Sequence, residues 1–228
     1  MAIPKIIHYC WFGPNKMPKT ALMCLKSWKE KCPDYEVVLW NELNSPMDNN
    51  FIQSAMLVKK YAFVADYVRT WALFNYGGIY VDTDMLLIKG LDNLLKNDMF
   101  LAYEQEGKKN IGVGIWGSVP NHEFLSQVLS FYNNNVLDIN NIFYFTIPNI
   151  LTREYKKYKG GNDIRVYDYD WFYAFPGEMK HYNNYMDYVT QNSVGVHLWD
   201  MSWLTLKERI INFVKKIFLI EQKYIFDE

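Results

Sequence analysis

Cysteine is scarce in this chain. Cys10, Cys24 and Cys32 are an odd number without paired spacing, which excludes a disulfide framework and points to a reducing compartment. Net charge is scarce too. With 24 Lys+Arg against 25 Asp+Glu the balance is -1, so no global field recruits nucleic acid. No window reaches the ~18 apolar residues that span a bilayer. The opening Met1-Ala2-Ile3-Pro4-Lys5 carries no signal-peptide apolar region, and the expected location is cytoplasmic. The sequence also lacks internal repeats and any flexible interdomain linker.

What is abundant is apolar and aromatic surface. Half of the 228 residues are apolar and 18% are aromatic, a composition that builds a core and argues against disorder. The length suits one large domain with at most a small appendage. The expected division is a domain over residues 1–204 and a basic amphipathic helix over 205–228, part of that domain or appended to it.

Ile3 to Phe12 reads as an opening strand ended by Gly13-Pro14-Asn15. Lys19 to Lys31 has helical spacing, with Leu22, Leu25 and Trp28 as its apolar face. Glu36 to Trp40 is a second strand, so the chain begins β-α-β, the start of a parallel sheet covered by helices. Asn41 to Asn50 reads as a polar loop. Lys59 to Tyr76 is helical, with Ala62, Ala65, Val68, Ala72 and Leu73 buried. Further strands are expected at Leu86 to Ile88, Met99 to Glu104 and within Ser193 to Trp203, and a helix at His122 to Tyr132, while the glycine-spaced Asn110 to Ser118 reads equally as strand and turn or as a close approach to a ligand or another backbone.

Chemistry concentrates at Gly77-Gly78-Ile79-Tyr80-Val81-Asp82-Thr83-Asp84. A tight turn and a short apolar strand lead into two carboxylates one residue apart. Positions i and i+2 of a strand share a side, so Asp82 and Asp84 are expected to converge. Two such charges need a compensating cation, and a hard divalent metal that leaves positions open for substrate phosphates supplies one. A solvated turn with no ligand is the competing reading of so short a pattern. Asp66 and Arg69 sit three apart on the preceding helix. A surface ion pair of little weight is the plain alternative, but apolar neighbours favour a buried role.

These segments resemble glycosyltransferase family 32, the DXD sugar-binding-region glycosyltransferases, more distantly similar to the clostridial glucosylating toxins. The resemblance rests on motifs in the family's order: Ile3-Pro4-Lys5-Ile6-Ile7-His8 with Trp11-Phe12-Gly13, Leu39-Trp40-Asn41, Ala65-Asp66-Tyr67-Val68-Arg69, the Gly77 to Asp84 run, Phe172-Tyr173 with Pro176, then His197 and Ser202-Trp203. It implies a GT-A fold, an α/β nucleotide-binding sandwich around a mixed sheet. It also implies retaining transfer of a hexose from a nucleotide sugar, with Mn2+ or Mg2+, to a glycan or lipid-linked glycan. Carried over, Asp82, Asp84 and His197 hold the metal. Asp82 also reaches the ribose, and Asp66 and Arg69 hold the sugar and phosphate. Trp11, Phe12 and Asn41 border the nucleotide, and Ser202 and Trp203 close on the diphosphate. His8 is expected to be structural. Front-face substitution is the expected route, the leaving phosphate taking the acceptor proton.

The donor is expected to be a UDP-hexose such as UDP-glucose or UDP-galactose, in polysaccharide or capsule synthesis, with GDP-mannose as the alternative. Thr146-Ile147-Pro148-Asn149 departs from the family's Thr-Gly-Pro. A β-branched residue there reshapes the loop and its contacts with acceptor or donor. Two other classes remain open: a metal-dependent nucleotide-sugar hydrolase, and a non-catalytic sugar-binding module. The terminal helix suggests either peripheral membrane contact or docking on the domain.

Overall fold

The computed structural model describes residues 2–107, 109–179 and 184–200. The expected helix at 205–224, with Ser202 and Trp203, lies outside the described residues. No described helix is long and apolar enough to cross a membrane.

A six-stranded sheet has the order β2-β1-β3-β6-β5-β7. Its strands are β1 (Ile6–Cys10), β2 (Glu36–Trp40), β3 (Gly78–Val81), β5 (Met99–Tyr103), β6 (Ile111–Ser118) and β7 (Ile164–Tyr167). β1 pairs parallel with β2 and β3, β6 runs antiparallel to β3 and β5, and β5 is parallel to β7. A separate antiparallel pair joins β4 (Met85–Leu87) to β8 (Gly195–His197).

Alternation along the strands divides the interior in two. Ile79 and Val81 face a core with Ile7, Trp28 and Met85. Tyr80 faces the other, packed with residues of α2 (Asn50–Leu57), α3 (Tyr61–Tyr76), α4 (Glu123–Asn133) and α5 (Ile147–Lys157). Helix α1 (Lys19–Lys31) covers the first side. It buries Ala21, Cys24, Ser27 and Trp28. The expected face is thus rotated, because Leu22 is 56% exposed.

Helix α3 is buried almost all round, and its passage into β3 depends on two glycines. Gly77 caps the helix, its N–H on Leu73 O, at φ 64°. Gly78 follows at φ 99°, where a Cβ would stand 2.7 Å from Ile6 O. Only glycine accepts both the positive φ and the close approach. His8 locks the same turn. Its Nε2 lies 2.8 Å from Gly77 O while Trp40 Nε1 donates to its Nδ1 at 3.1 Å. That pattern fits the neutral ring with its proton on Nε2, and burial pushes its pKa down to about 4 against the Gly77 contact.

One element lies where the sequence reading assigns nothing beyond its first residue, and another departs from that reading. Residues Asn50–Leu57 form α2, capped by Asn49, whose side chain accepts from Phe51 and Ile52 N–H. Thr146-Ile147-Pro148-Asn149 opens α5 with proline in its first turn, where a missing N–H costs nothing. Ile147 opens the helix at a φ that is not positive, so nothing there requires glycine, and its side chain is buried at 2% exposure.

Candidate active site

The strand order reverses direction at β1, with β2 on one side and β3 on the other. Open α/β sheets bind ligands outside the carboxyl ends of their strands at such a switch point. Trp11 and Phe12 follow β1, Asn41 follows β2, and Asp82 follows β3 at this one edge. Phe12 is buried in the core. The half-exposed Trp11 donates from Nε1 to Asn15 O at 2.6 Å. Asn41 ends β2 in a side-chain turn, Oδ1 accepting from Leu43 N–H.

The DXD segment is a turn, which corrects the strand geometry expected for it. β3 ends at Val81. Asp82 N–H donates to Gly114 O at 2.7 Å, and Met85 N–H returns to Asp82 O at 2.9 Å. Convergence of the carboxylates comes from this tight loop and from β4, which emerges from it. β4 pairs Met85 with His197 of β8, and Leu198 N–H donates to Asp84 O at 2.8 Å. His197 Nε2 thereby stands 3.2 Å from Asp84 Oδ1, and Asp200 N–H donates to Asp84 Oδ2 at 2.9 Å. One ligand atom from each of Asp82, Asp84 and His197 lies within 4.8 Å of the others.

Asp66 and Arg69 are not a surface pair. They are 7% and 6% exposed, and Arg69 ties the helix to the DXD turn. Its Nη2 is 3.3 Å from Asp66 Oδ1 and its Nη1 3.2 Å from Asp82 Oδ1. Nη1 also donates to Val113 O at 3.1 Å and Nε to Ala65 O at 3.3 Å. The guanidinium lies 4.2 Å from the Tyr80 ring centre, and the Tyr80 hydroxyl donates to Asp82 Oδ1 at 3.0 Å. Asp82 is thus oriented by two donors from the core side.

Burial and neighbouring charge pull these groups in different directions. Burial raises Asp66 to about 7, Asp82 adds to the rise, and Arg69 and the Ile147 N–H oppose it. Asp84 is also desolvated, but the His197 imidazole and the Asp200 N–H hold it down at about 2. Burial disfavours the charged form of His197, yet Asp84 raises its pKa overall.

Three carboxylates therefore face one arginine and one imidazole. The oxygen, oxygen and nitrogen donors of Asp82, Asp84 and the neutral form of His197 fit a divalent ion of the magnesium or manganese type.

Of the other groups at this edge, Tyr173 belongs to the Phe172-Tyr173 motif, while Glu104 and Trp199 carry no local sequence signal. Gly114 N–H donates to the Tyr173 hydroxyl at 2.8 Å. The His197 and Trp199 rings meet edge-on at 4.3 Å, and Trp199 Nε1 donates to Phe175 O at 2.7 Å. Glu104, just past β5, is half-buried near His197 and Tyr173, and burial raises its pKa against the pull of His197.

A mixed sheet with an aspartate turn at its switch point is the architecture of GT-A glycosyltransferases. Comparison with known proteins agrees. Residues 18–101 match the glycosyltransferase sugar-binding region containing the DXD motif. Inositol phosphoceramide mannosyltransferase 3 of Schizosaccharomyces pombe is 32% identical over 56% of this chain and 36% of its own length. Mannosyl phosphorylinositol ceramide synthase CSH1 of Saccharomyces cerevisiae is 27% identical over 93% of this chain and 58% of its own. The chain therefore spans between about a third and three fifths of these curated relatives. The fold is shared with the PaToxG glycosyltransferase, at a TM-score of 0.56 and 16% identity over 68% of this chain and 70% of that one. It is shared too with a glycosyltransferase involved in glycosylation of the major capsid of PBCV-1, at a TM-score of 0.51 and 15% identity over 88% and 96%. The chain thus has a GT-A fold and matches, over residues 18–101, the sugar-binding region that carries the DXD motif in glycosyltransferases.

Proposed function

We propose that this chain transfers a hexose from a nucleotide sugar to a glycan or glycolipid hydroxyl, with retention and with Mn2+ or Mg2+. The observation that carries this reading is the convergence of Asp82, Asp84 and His197 beside the buried Asp66–Arg69 pair. In this reading residues 1–204 form one transferase domain.

Asp82, Asp84 and His197 hold the ion. When bound, it offsets the diphosphate charge and the charge that grows on the leaving group. The protein's own part is positioning. Arg69 and the Tyr80 hydroxyl fix Asp82 before substrate arrives, so no reorganisation is needed during transfer. Asp66 offers a carboxylate oxygen to a donor-sugar hydroxyl. Trp11 gives the base an aromatic wall, and Asn41 borders the nucleotide from the end of β2. Ser202 and Trp203 complete the proposed diphosphate contacts.

The curated relatives are named for mannosyl transfer, which favours mannose, and hence GDP-mannose, over UDP-glucose or UDP-galactose. A hydrolase would use the same metal site and release free sugar, with no acceptor needed. The test is turnover of GDP-mannose, UDP-glucose and UDP-galactose with and without Mn2+, in the presence and absence of glycan acceptors, for the native chain and Asp84→Asn. Expected is metal-dependent, acceptor-dependent release of one nucleoside diphosphate. The variant should lose about 100-fold or more in kcat/KM, as for loss of a group that stabilises developing charge. Normal turnover by Asp84→Asn rejects the site. The anomeric configuration of the product, read by NMR, decides retention.

A further inference from the structure

Trp199 holds a backbone conformation that its side chain disfavours. Its φ is 55°, and among the described residues it shares a positive φ with just two others that are not glycine, Lys59 and Asn121. The left-handed region crowds Cβ against the backbone and is uncommon for a large side chain. It persists where the surroundings over-determine it, and such positions gather at functional sites.

What this turn achieves is seen at Asp84. Residues 197–200, running out of β8, wrap that aspartate on several sides. His197 Nε2 stands 3.2 Å from Oδ1. Leu198 N–H donates to the main-chain O at 2.8 Å, and Asp200 N–H to Oδ2 at 2.9 Å. An extended chain sets alternate N–H groups about 7 Å apart. The left-handed turn at Trp199 curls residue 200 back, so that both donors reach one aspartate.

Three contacts seat the indole. Its Nε1 donates to Phe175 O at 2.7 Å. Gly177 lies against the ring, where a Cβ would stand 3.1 Å from Cδ2. The His197 imidazole meets it edge-on, with ring centres 4.3 Å apart. Pro176 lies between the first two contacts in the chain, so the segment around this motif proline serves as the seat of the indole. His197 needs such a wall. A metal-binding imidazole ordinarily gives its second nitrogen to a carboxylate, a carbonyl or water. Nδ1 of His197 is buried with no hydrogen-bond partner among the described residues. Ring packing, from Trp199 and from Tyr173 at 5.6 Å, orients it instead.

We propose that Trp199 is a positioning residue of the cation site: its left-handed turn and its seated indole hold His197 and the Asp200 N–H on Asp84 in the arrangement that receives the divalent ion. This inference rests on the metal reading above and adds a residue that acts through His197 and Asp84.

The experiment compares the full wild-type chain with Trp199→Phe, Trp199→Ala and Trp199→Gly by two readouts. One is calorimetric titration with Mn2+ alone. The other is amide exchange at Asp200, followed by NMR without metal. Trp199→Ala loses the seat and keeps the disfavoured φ, so its hold on Asp84 should open. Exchange at Asp200 should quicken about tenfold or more, and Mn2+ should bind about tenfold or more weakly. Trp199→Gly loses the same ring but adopts the left-handed φ without strain, and should regain about threefold or more in both readouts over Trp199→Ala. Trp199→Phe keeps a ring beside His197 and should lie nearest to wild type. A merely structural tryptophan lowers the melting temperature of the variants and leaves the Mn2+ affinity of the folded protein unchanged, which overturns the proposal. So does a Trp199→Gly chain no better than Trp199→Ala, or faster Asp200 exchange with Mn2+ binding intact. A wild type that protects Asp200 yet binds no Mn2+ rejects the proposal through the metal reading, with the hold of Trp199 on Asp84 left standing.

Discussion

Replacing Arg69 with methionine is the sharpest test of the buried charge network. Methionine keeps an apolar stem in place of the arginine's but removes the guanidinium, and so strands Asp66 and Asp82, which stand 3.3 and 3.2 Å from it. It also leaves Val113 O without its side-chain donor. Breaking a buried pair from one side costs about 3–5 kcal/mol, because the remaining charge stays desolvated. The network also sets the pH dependence of that loss. Asp66 titrates near 7 in the folded protein, against about 3.9 unfolded. The folded state thus holds a proton that the unfolded chain has released, and this contribution to stability falls as pH rises from about 4 to about 7. In the wild type the fall ends there. In Arg69→Met the largest opposing influence is gone, the Asp66 pKa climbs further, and stability keeps falling. The deficit should widen by up to about 2 kcal/mol between pH 7 and 8.5. Urea unfolding of both proteins at pH 6 and pH 8.5 reads it directly, and Asp66→Asn added to Arg69→Met should recover part of it. A deficit below about 1 kcal/mol at pH 8.5, or one identical at the two pH values, refutes the reasoning.

Other consequences can be checked with the same preparations. His8 resists protonation in the fold, down to about 4, so below pH 6.5 the unfolded chain gains a proton that the folded one refuses, and this contribution falls by about 2–3 kcal/mol on reaching pH 4.5. Asp66 titrates in the opposite sense, so the measurement is the difference between wild type and His8→Gln, whose unfolding profiles should converge on acidification; parallel profiles sink the assignment. Tyr80→Phe keeps the ring under Arg69 but removes the hydroxyl from Asp82, and Mn2+ affinity by titration should drop about 10–100-fold with little change in melting temperature. Gly112→Ala brings a Cβ to 2.5 Å from Tyr173 Cζ, and the buried ring has no room to yield, so thermal unfolding should show a loss of about 1–3 kcal/mol.

Much of the fold is legible where local chemistry and tertiary packing agree. α1 and β2 have the bounds that prolines, turn residues and apolar spacing indicate, and the β1-α1-β2 start is parallel as read. Pattern reading fails where an element is polar at its entrance or buried on all sides. α2 begins in an asparagine-rich stretch, and its local cues are the Asn49 cap and the short spacing of Phe51, Ile52 and Ala55. α5 begins in a segment read as a loop, although Thr146, Pro148 and the spacing of Ile147, Ile150 and Leu151 form a helix-start pattern.

The candidate site divides along the same line. Asp82 and Asp84 stand out because the glycines and the short apolar strand make them conspicuous, yet the geometry that joins them is a turn, which no two-residue period describes. The approach of His197 depends on a three-residue pair, β4 with β8, too short for any alternation to show. Its place in an ordered set of motifs is the only cue in the sequence. The bridge from Arg69 to Asp82 spans α3 and β3, and it exists only because Gly77 and Gly78 fold the helix directly back onto the strand. The glycines that make the motif visible are also the reason its charges meet a buried arginine. An aspartate turn at the end of a strand reached through a longer loop would present the same pattern without that support.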